Sequence, residues 1–320
     1  MAGTPPDVLF NRYFQERYPF VPPVRPEDPD PRTFRGIDDL SNLPPEFVET
    51  LRDLQGDFIR ALQNAQQDVP KREDSPIHFD YIDSTTRNAL AFSYEHYSFI
   101  GVTIPLLREI EDTSKRLCRD EGILNILSLD DTLLRYEAKA LWATLVRIQI
   151  LFAVSHEYGH HVNGDAPGLR SEATSVFFSE IEDAGEIGNL DQQVSEINAD
   201  GIATYLLLSD LMDGGGRRQV IRALKLGDTE ATVQDEALLV LFVVAVVSFF
   251  VLRKVGSGLN LHAYTHPPQP ARTTNIGIMK LRVVMASLLG ADSCLGTARA
   301  DGHGIDSTSF DRSSRWKLCG

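Results

Sequence analysis

His156-Glu157-Tyr158-Gly159-His160 is the stretch around which this chain of 320 residues is organised. Hydrophobic periodicity predicts a helix over residues 130–162, with Asn163-Gly164 as its stop signal. Residues i and i+4 share one face of a helix, so the two imidazoles can converge on one metal ion. A lone buried histidine is usually a hydrogen-bonded core residue, whereas two at this spacing beside a glutamate favour a metal site. The apolar upstream part of the helix is predicted to lie in the core, through Leu141, Trp142, Leu145, Ile148, Leu151 and Phe152.

The best candidate for a third ligand lies on a second predicted helix, over residues 190–212. Glu196 and Asp200 are again four residues apart, so both side chains can face the first helix. We predict that Glu196 supplies a carboxylate oxygen to the metal and that Asp200 accepts the second N–H of a ligand imidazole. Ala199 is small enough for the two helices to approach closely. His161 lies off the ligand face and is interpreted as a structural or supporting residue. Four other histidines compete for the role of ligand: His78, His96, His262 and His266.

The composition limits the possible functions. A net charge of −14 without any basic stripe argues against a nucleic-acid partner. Three scattered cysteines indicate neither a disulfide framework nor a zinc finger, and they favour a reducing compartment. The N-terminus lacks the features of a secretory signal. We therefore expect a soluble, cytoplasmic protein.

The fold class is predicted as α+β and mostly α, with a small antiparallel sheet before the histidine-bearing helix. The Pro-rich residues 1–45 are expected to form an extended arm, anchored by Phe10, Tyr13, Phe14 and Phe20. A helix is predicted from Pro44-Pro45, with a buried face of Phe47, Leu51, Leu54, Phe58 and Leu62. Alternating residues between about 76 and 104 predict two or three strands. Further helices are predicted at 106–120, 216–225, 234–254 and 268–289, and a loose tail at 296–320.

The uncharged stretch Ala237–Leu252 has two interpretations. As a helix it would span about 24 Å, short of the ~30 Å hydrocarbon core of a membrane. A central buried helix is therefore favoured, with membrane insertion or peripheral association as the alternative. Leu141–Val154 is discounted as a second span because Arg147 and Gln149 interrupt it.

Three motifs together resemble a known group of enzymes. His156-Glu157-x-x-His160 followed by Glu196-x-x-Ala199-Asp200 resembles the gluzincin pattern of zinc metallopeptidases. Thr265-His266-Pro267-Pro268 with Arg272 resembles a motif of the CAAX prenyl endopeptidase and heat-shock membrane zinc protease group. Phage-exclusion peptidases of the Lit type share the first motif. The resemblance covers residues 140–285 and implies a zincin-like metallopeptidase. We expect its domain to extend over residues 46–295.

The resemblance also implies a reaction and its residues. Zn²⁺ held by His156, His160 and Glu196 would activate water, with Glu157 as the general base, to hydrolyse a protein or peptide substrate. His266 would stabilise the tetrahedral intermediate, and Tyr264 is a weaker candidate for that role. Members of the membrane group carry several transmembrane helices, unlike this chain.

Three alternatives remain open on the sequence alone. The first is a membrane-associated protease of the same chemistry. The second is a zinc-bearing binding or scaffold module without proteolytic activity, although a purely structural site would not need Glu157 as a base. The third is a metal-free helical protein in which the motif is a coincidence.

Overall fold

The computed structural model of the protein describes residues 4–20, 32, 34–65, 76–120, 131–164, 190–212 and 214–252. These residues form a mostly helical α+β fold with one small sheet, as predicted. The helices are α1 (Pro6–Arg17), α2 (Pro45–Ala65), α3 (Ile104–Leu117), α4 (Asp131–Asn163), α5 (Leu190–Met212), α6 (Gly215–Ala223) and α7 (Ala231–Leu252), with a 3-10 turn at Leu226–Asp228. The strands are β1 (Phe34–Ile37), β2 (Ile77–Ser84), β3 (Ala89–Tyr94) and β4 (Tyr97–Thr103).

The four strands form a mixed sheet in the order β1-β2-β4-β3. β1 pairs antiparallel with β2, and β3 pairs antiparallel with β4, but β2 and β4 are parallel. The prediction of an antiparallel sheet is therefore wrong for the central pair. Alternating polarity reveals strands but not which strand lies beside which, since pairing is a non-local property.

The N-terminal segment is not wholly extended, which corrects the prediction for residues 1–45. Residues Pro6–Arg17 form α1, and a short strand follows at Phe34–Ile37. Pro6 lies in the first turn of α1, where a missing N–H costs nothing. The apolar side chains of α1 recur at helical spacing and are buried: Leu9, Phe10, Tyr13 and Phe14. Phe20, by contrast, is 57% exposed and is not an anchor.

α1 covers one face of the sheet through an aromatic cluster. Its Tyr13 ring stacks on Phe92 of β3 at a centroid distance of 4.0 Å. Phe10 packs edge-on against Phe99 of β4 at 5.5 Å. Aromatic pairs of this kind stabilise a core beyond the area that they bury. The N-terminal segment is thus an integral layer of the fold.

α2 packs on β2 and begins at Pro45, as predicted. The hydroxyl of Tyr81 donates a hydrogen bond of 2.8 Å to the carbonyl of Leu51, and Gln55 donates one of 2.6 Å to the carbonyl of Phe79. The predicted buried face is confirmed for Phe47, Leu51, Leu54 and Phe58. The side chain of Leu62 lies outside the described residues.

α4 is the central helix and contacts α3, α5, α7 and the sheet. All six residues predicted to make its upstream part a core element are buried. Its two polar interruptions have partners inside the fold. Arg147 donates to a carboxylate oxygen of Asp57 at 2.7 Å, and Gln149 donates to the hydroxyl of Ser114 at 2.9 Å.

By length and composition, two described helical segments are apolar enough to cross a membrane, Ala138–Asn163 and Ala231–Phe250. The expectation of a single candidate is therefore wrong, because the first segment is apolar enough on average despite Arg147 and Gln149. That segment is 72% buried over its apolar window, as in the core helix of a soluble protein, against 39% for the second. α7 is thus buried on one side only. The helix predicted at 268–289 and the tail lie outside the described residues.

Candidate metal centre

The last turns of α4 bring two imidazoles together. His156 and His160 are 2% and 1% exposed, and their Nε2 atoms lie 3.1 Å apart. This is the convergence expected of an i, i+4 pair. Glu157, next to His156 in the same turn, is also buried at 3% exposure.

α5 supplies the carboxylates that face these rings. Glu196 and Asp200 are fully buried, and they contact His160 and His156 respectively. Because the later residue of α5 meets the earlier residue of α4, the two helices run antiparallel. The structure therefore places Glu196 and Asp200 where the spacing predicted.

A close backbone approach makes this meeting of helices possible. A Cβ atom at Gly159 would lie only 2.7 Å from Cα of Ala199. Real Cβ atoms essentially never come so close to another backbone. The predicted role of Ala199 as a small contact residue is confirmed, but its glycine partner was missed. The sequence does contain this information, since Gly159, which has no Cβ atom, lies between the two histidines.

The three candidate ligands lie close enough together to hold one metal ion. Nε2 of His156 lies 3.3 Å from Oε2 of Glu196, and Nε2 of His160 lies 3.4 Å from Oε1. These two distances end on different oxygens of the carboxylate, and one donor atom from each of the three residues lies within 4.8 Å of the other two. The donor set of two imidazoles and one carboxylate also matches that of catalytic zinc sites. These side chains fit a metal ion in both geometry and chemistry.

Each imidazole has a partner behind it. Nδ1 of His156 lies 2.9 Å from Oδ1 of Asp200, and a carboxylate only accepts, so Nδ1 is the donor. This leaves Nε2 facing Glu196 and His160. Nδ1 of His160 lies 3.5 Å from the hydroxyl of Ser195, a weaker contact that sequence reasoning missed. Such partners orient ligating rings and raise their basicity.

The electrostatics of the cluster favour a cation. Burial by itself lowers the pKa of His156, but its hydrogen bonds to Asp200 and Glu196 and their negative charges outweigh burial and raise the pKa to about 9. Three carboxyl groups, those of Glu157, Glu196 and Asp200, are buried within this region. Buried charge is costly unless an opposite charge compensates it. A divalent cation between the rings would do so more fully than one proton.

His161 has a different environment from its neighbour. It is 7% exposed, and its Nε2 lies 2.9 Å from the carbonyl oxygen of Phe99 in β4. Burial lowers its pKa to about 4, with a small opposing contribution from the Phe99 carbonyl and a further lowering by His160. His161 is therefore neutral and turned towards the sheet, in agreement with its interpretation as a structural residue.

The other candidates are not brought to this cluster. His78 pairs with Asp80 on β2 at 3.3 Å and packs against aromatic rings. His96 lies in the turn between β3 and β4. Within the part of the chain that the structure describes, His156, His160 and Glu196 are the group that can hold a metal ion. The remaining predicted residues lie outside the described ranges: His262, Tyr264, His266 and Arg272.

No model of a protein family, no curated protein and no solved structure matches this chain. The resemblance to zinc metallopeptidases accordingly rests on the motifs and on the geometry of the residues that carry them.

Proposed function

We propose that this protein is a zinc-dependent endopeptidase with a zincin-like fold. The observation that carries the proposal is the convergence of His156, His160 and Glu196, each of which offers one donor atom within 4.8 Å of the other two. Two imidazoles and one carboxylate are the donor set of several catalytic zinc sites. With Glu196 bound through one oxygen, a four-coordinate ion would keep one position for water or substrate. Bound Zn²⁺ lowers the pKa of water to about 7 and polarises a carbonyl group.

Glu157 is proposed as the general base. It is buried one residue from His156, and a site that only stabilises the fold needs no such carboxylate. It would accept the proton of the attacking water and pass it to the leaving amine. His266 remains the proposed donor to the developing oxyanion, on the strength of the resemblance alone.

The sheet suggests how a peptide substrate is held. β3 lies at the end of the described sheet, and it contacts α4, which carries the candidate ligands. An extended peptide can add to such an edge through main-chain hydrogen bonds. We therefore propose protein or peptide substrates bound in extended form beside β3.

Two measurements test the proposal. Metal analysis of purified wild-type protein should give one Zn²⁺ per chain, and a metal-free wild type would contradict the metal site itself. Glu157→Gln should retain the zinc and lose about 10²–10⁴-fold in hydrolytic rate. Proteome-wide labelling of N-termini should then reveal cleavage products with wild type only. Equal profiles from a zinc-loaded pair would favour the non-proteolytic module.

The partly exposed side of α7 supports a second candidate, a membrane-associated protease of the same chemistry. Leu239, Val240 and Val243 on this helix are only partly buried. The cytoplasmic, soluble form is the proposal we favour, because α4 is a core helix. Recovery of all the protein in the soluble fraction before any alkaline wash would exclude the membrane-associated form, and release only by the wash would exclude membrane insertion.

A further inference from the structure

One candidate ligand lies near the C-terminal end of α4, where a helix has the fewest backbone hydrogen bonds. His160 is three residues from the end of the helix at Asn163, and Gly164 ends it with a φ of 74°. The last turn of a helix has carbonyl groups without helical partners and frays most readily. A metal ligand placed there needs support from outside the helix.

The supports behind the two ligand rings are unequal. Asp200 lies 2.9 Å from His156, with a full negative charge to hold the ring. The hydroxyl of Ser195 lies 3.5 Å from His160, at the outer limit of a hydrogen bond. An anchor on the same turn of α4 would help to hold the His160 ring in place.

His161 provides contact with a rigid part of the fold. Its Nε2 lies 2.9 Å from the carbonyl oxygen of Phe99, a residue 62 positions earlier in the chain. β4, which contains Phe99, is paired on both sides in the sheet, and the Phe99 side chain is fully buried. A carbonyl oxygen only accepts, so His161 donates from Nε2 and its lone pair is on Nδ1.

Burying a histidine at position 161 destabilises the fold, which indicates that its hydrogen bond has a role. Within the described residues, Nδ1 of His161 is buried without a hydrogen-bond partner. A buried polar atom without a partner destabilises a fold, and an apolar side chain of similar size would avoid that cost. Packing alone would therefore favour leucine or phenylalanine at position 161.

We propose that His161 is a positioning residue, which anchors the last turn of α4 to β4 and thereby fixes His160 at the metal. This inference rests on the proposed metal site but not on proteolysis. The Nε2–H of His161 holds the backbone of the residue that follows the ligand. Loss of this hydrogen bond should therefore weaken metal binding, and not only lower the stability of the fold.

The test compares two substitutions. His161→Leu removes the donor and keeps an apolar side chain of similar reach, whereas His161→Gln retains an N–H donor. Competition with a chelator of known affinity should give Zn²⁺ binding about 10–100-fold weaker for His161→Leu, the range for residues that support metal ligands. His161→Gln should restore most of the affinity. Equal Zn²⁺ affinity of His161→Leu and wild type would overturn the proposal, even with a lower melting temperature.

A second measurement needs no destabilising variant. In ¹⁵N spectra of zinc-loaded wild type, the resonances lost in His161→Gln identify the His161 ring. They should show the tautomer protonated at Nε2, with a proton that exchanges slowly. Protonation at Nδ1 would overturn the proposal whatever the variants do. Wild type that binds no Zn²⁺ would instead refute the proposed metal site, so the two failures are distinguishable.

Discussion

The two sides of the C-terminal turns of α4 use the same residue type in opposite ways. On the side facing α5, His156 is buried among carboxylates and its pKa is raised to about 9. On the side facing the sheet, His161 is also buried, but beside a neutral carbonyl, and its pKa is lowered to about 4. Burial disfavours the charged form of both, so the neighbours decide the difference. A buried histidine is a candidate ligand only when its surroundings compensate positive charge.

Removing the proposed carboxylate ligand should have the largest effect on the α5 side. Glu196→Gln keeps the size of the side chain but removes the charge that faces both rings. We expect the protein to lose stoichiometric zinc, a larger effect than the about 10–100-fold weakening typical of supporting residues. Metal analysis after gel filtration measures this. Glu236→Gln, at an exposed position of α7, is the matched control and should retain the zinc.

Removing the partner of His156 should weaken the site without abolishing it. Asp200→Asn leaves an acceptor for Nδ1 but not the charge, so we expect about 10–100-fold lower zinc affinity. Chelator competition measures the change. Unchanged affinity would mean that the Asp200–His156 contact of 2.9 Å has no part in metal binding.

Separating the helices should affect both stability and metal. Gly159→Ala places a Cβ atom 2.7 Å from Cα of Ala199, and such overpacking typically costs about 1–3 kcal/mol. Urea denaturation of the metal-free protein and zinc titration should both reveal the loss. Gly227→Ala is the control, because a Cβ atom there meets nothing within 4 Å. If Gly159→Ala left the stability and the zinc affinity unchanged, this would argue against the close approach of α4 and α5.

The two buried histidines should give pH dependences of opposite sign. The raised pKa of His156 stabilises the metal-free protein fully below about pH 6.5, and this contribution is lost as the pH rises through about 9. The lowered pKa of His161 destabilises the fold as the pH falls from about 6.5 towards 4. Zinc must displace the His156 proton, so its affinity should rise with pH up to about 9. Urea denaturation and zinc titration across this range check all three, and Asp200→Asn should flatten the dependence due to His156.

Local patterns in the sequence predicted most of the helices and the convergence of the candidate ligands. His156 with His160, and Glu196 with Asp200, are i, i+4 pairs, so the spacing alone places both members of each pair on one face of a helix. Helix α1 was missed because the prolines of the N-terminal segment outweighed its helical apolar spacing. The order of the strands and the bond from His161 to Phe99 depend on residues far apart in the chain. No local pattern contains that information.

Phe99 connects α1 to the candidate metal centre, although the two are far apart in the sequence. Its ring packs against Phe10 of α1, while its carbonyl oxygen accepts from His161. A shortened chain that begins after α1 would lose this contact with the ring of Phe99. The first twenty residues therefore belong in any recombinant version used for metal or activity measurements, and a fusion tag at that end is best kept clear of α1.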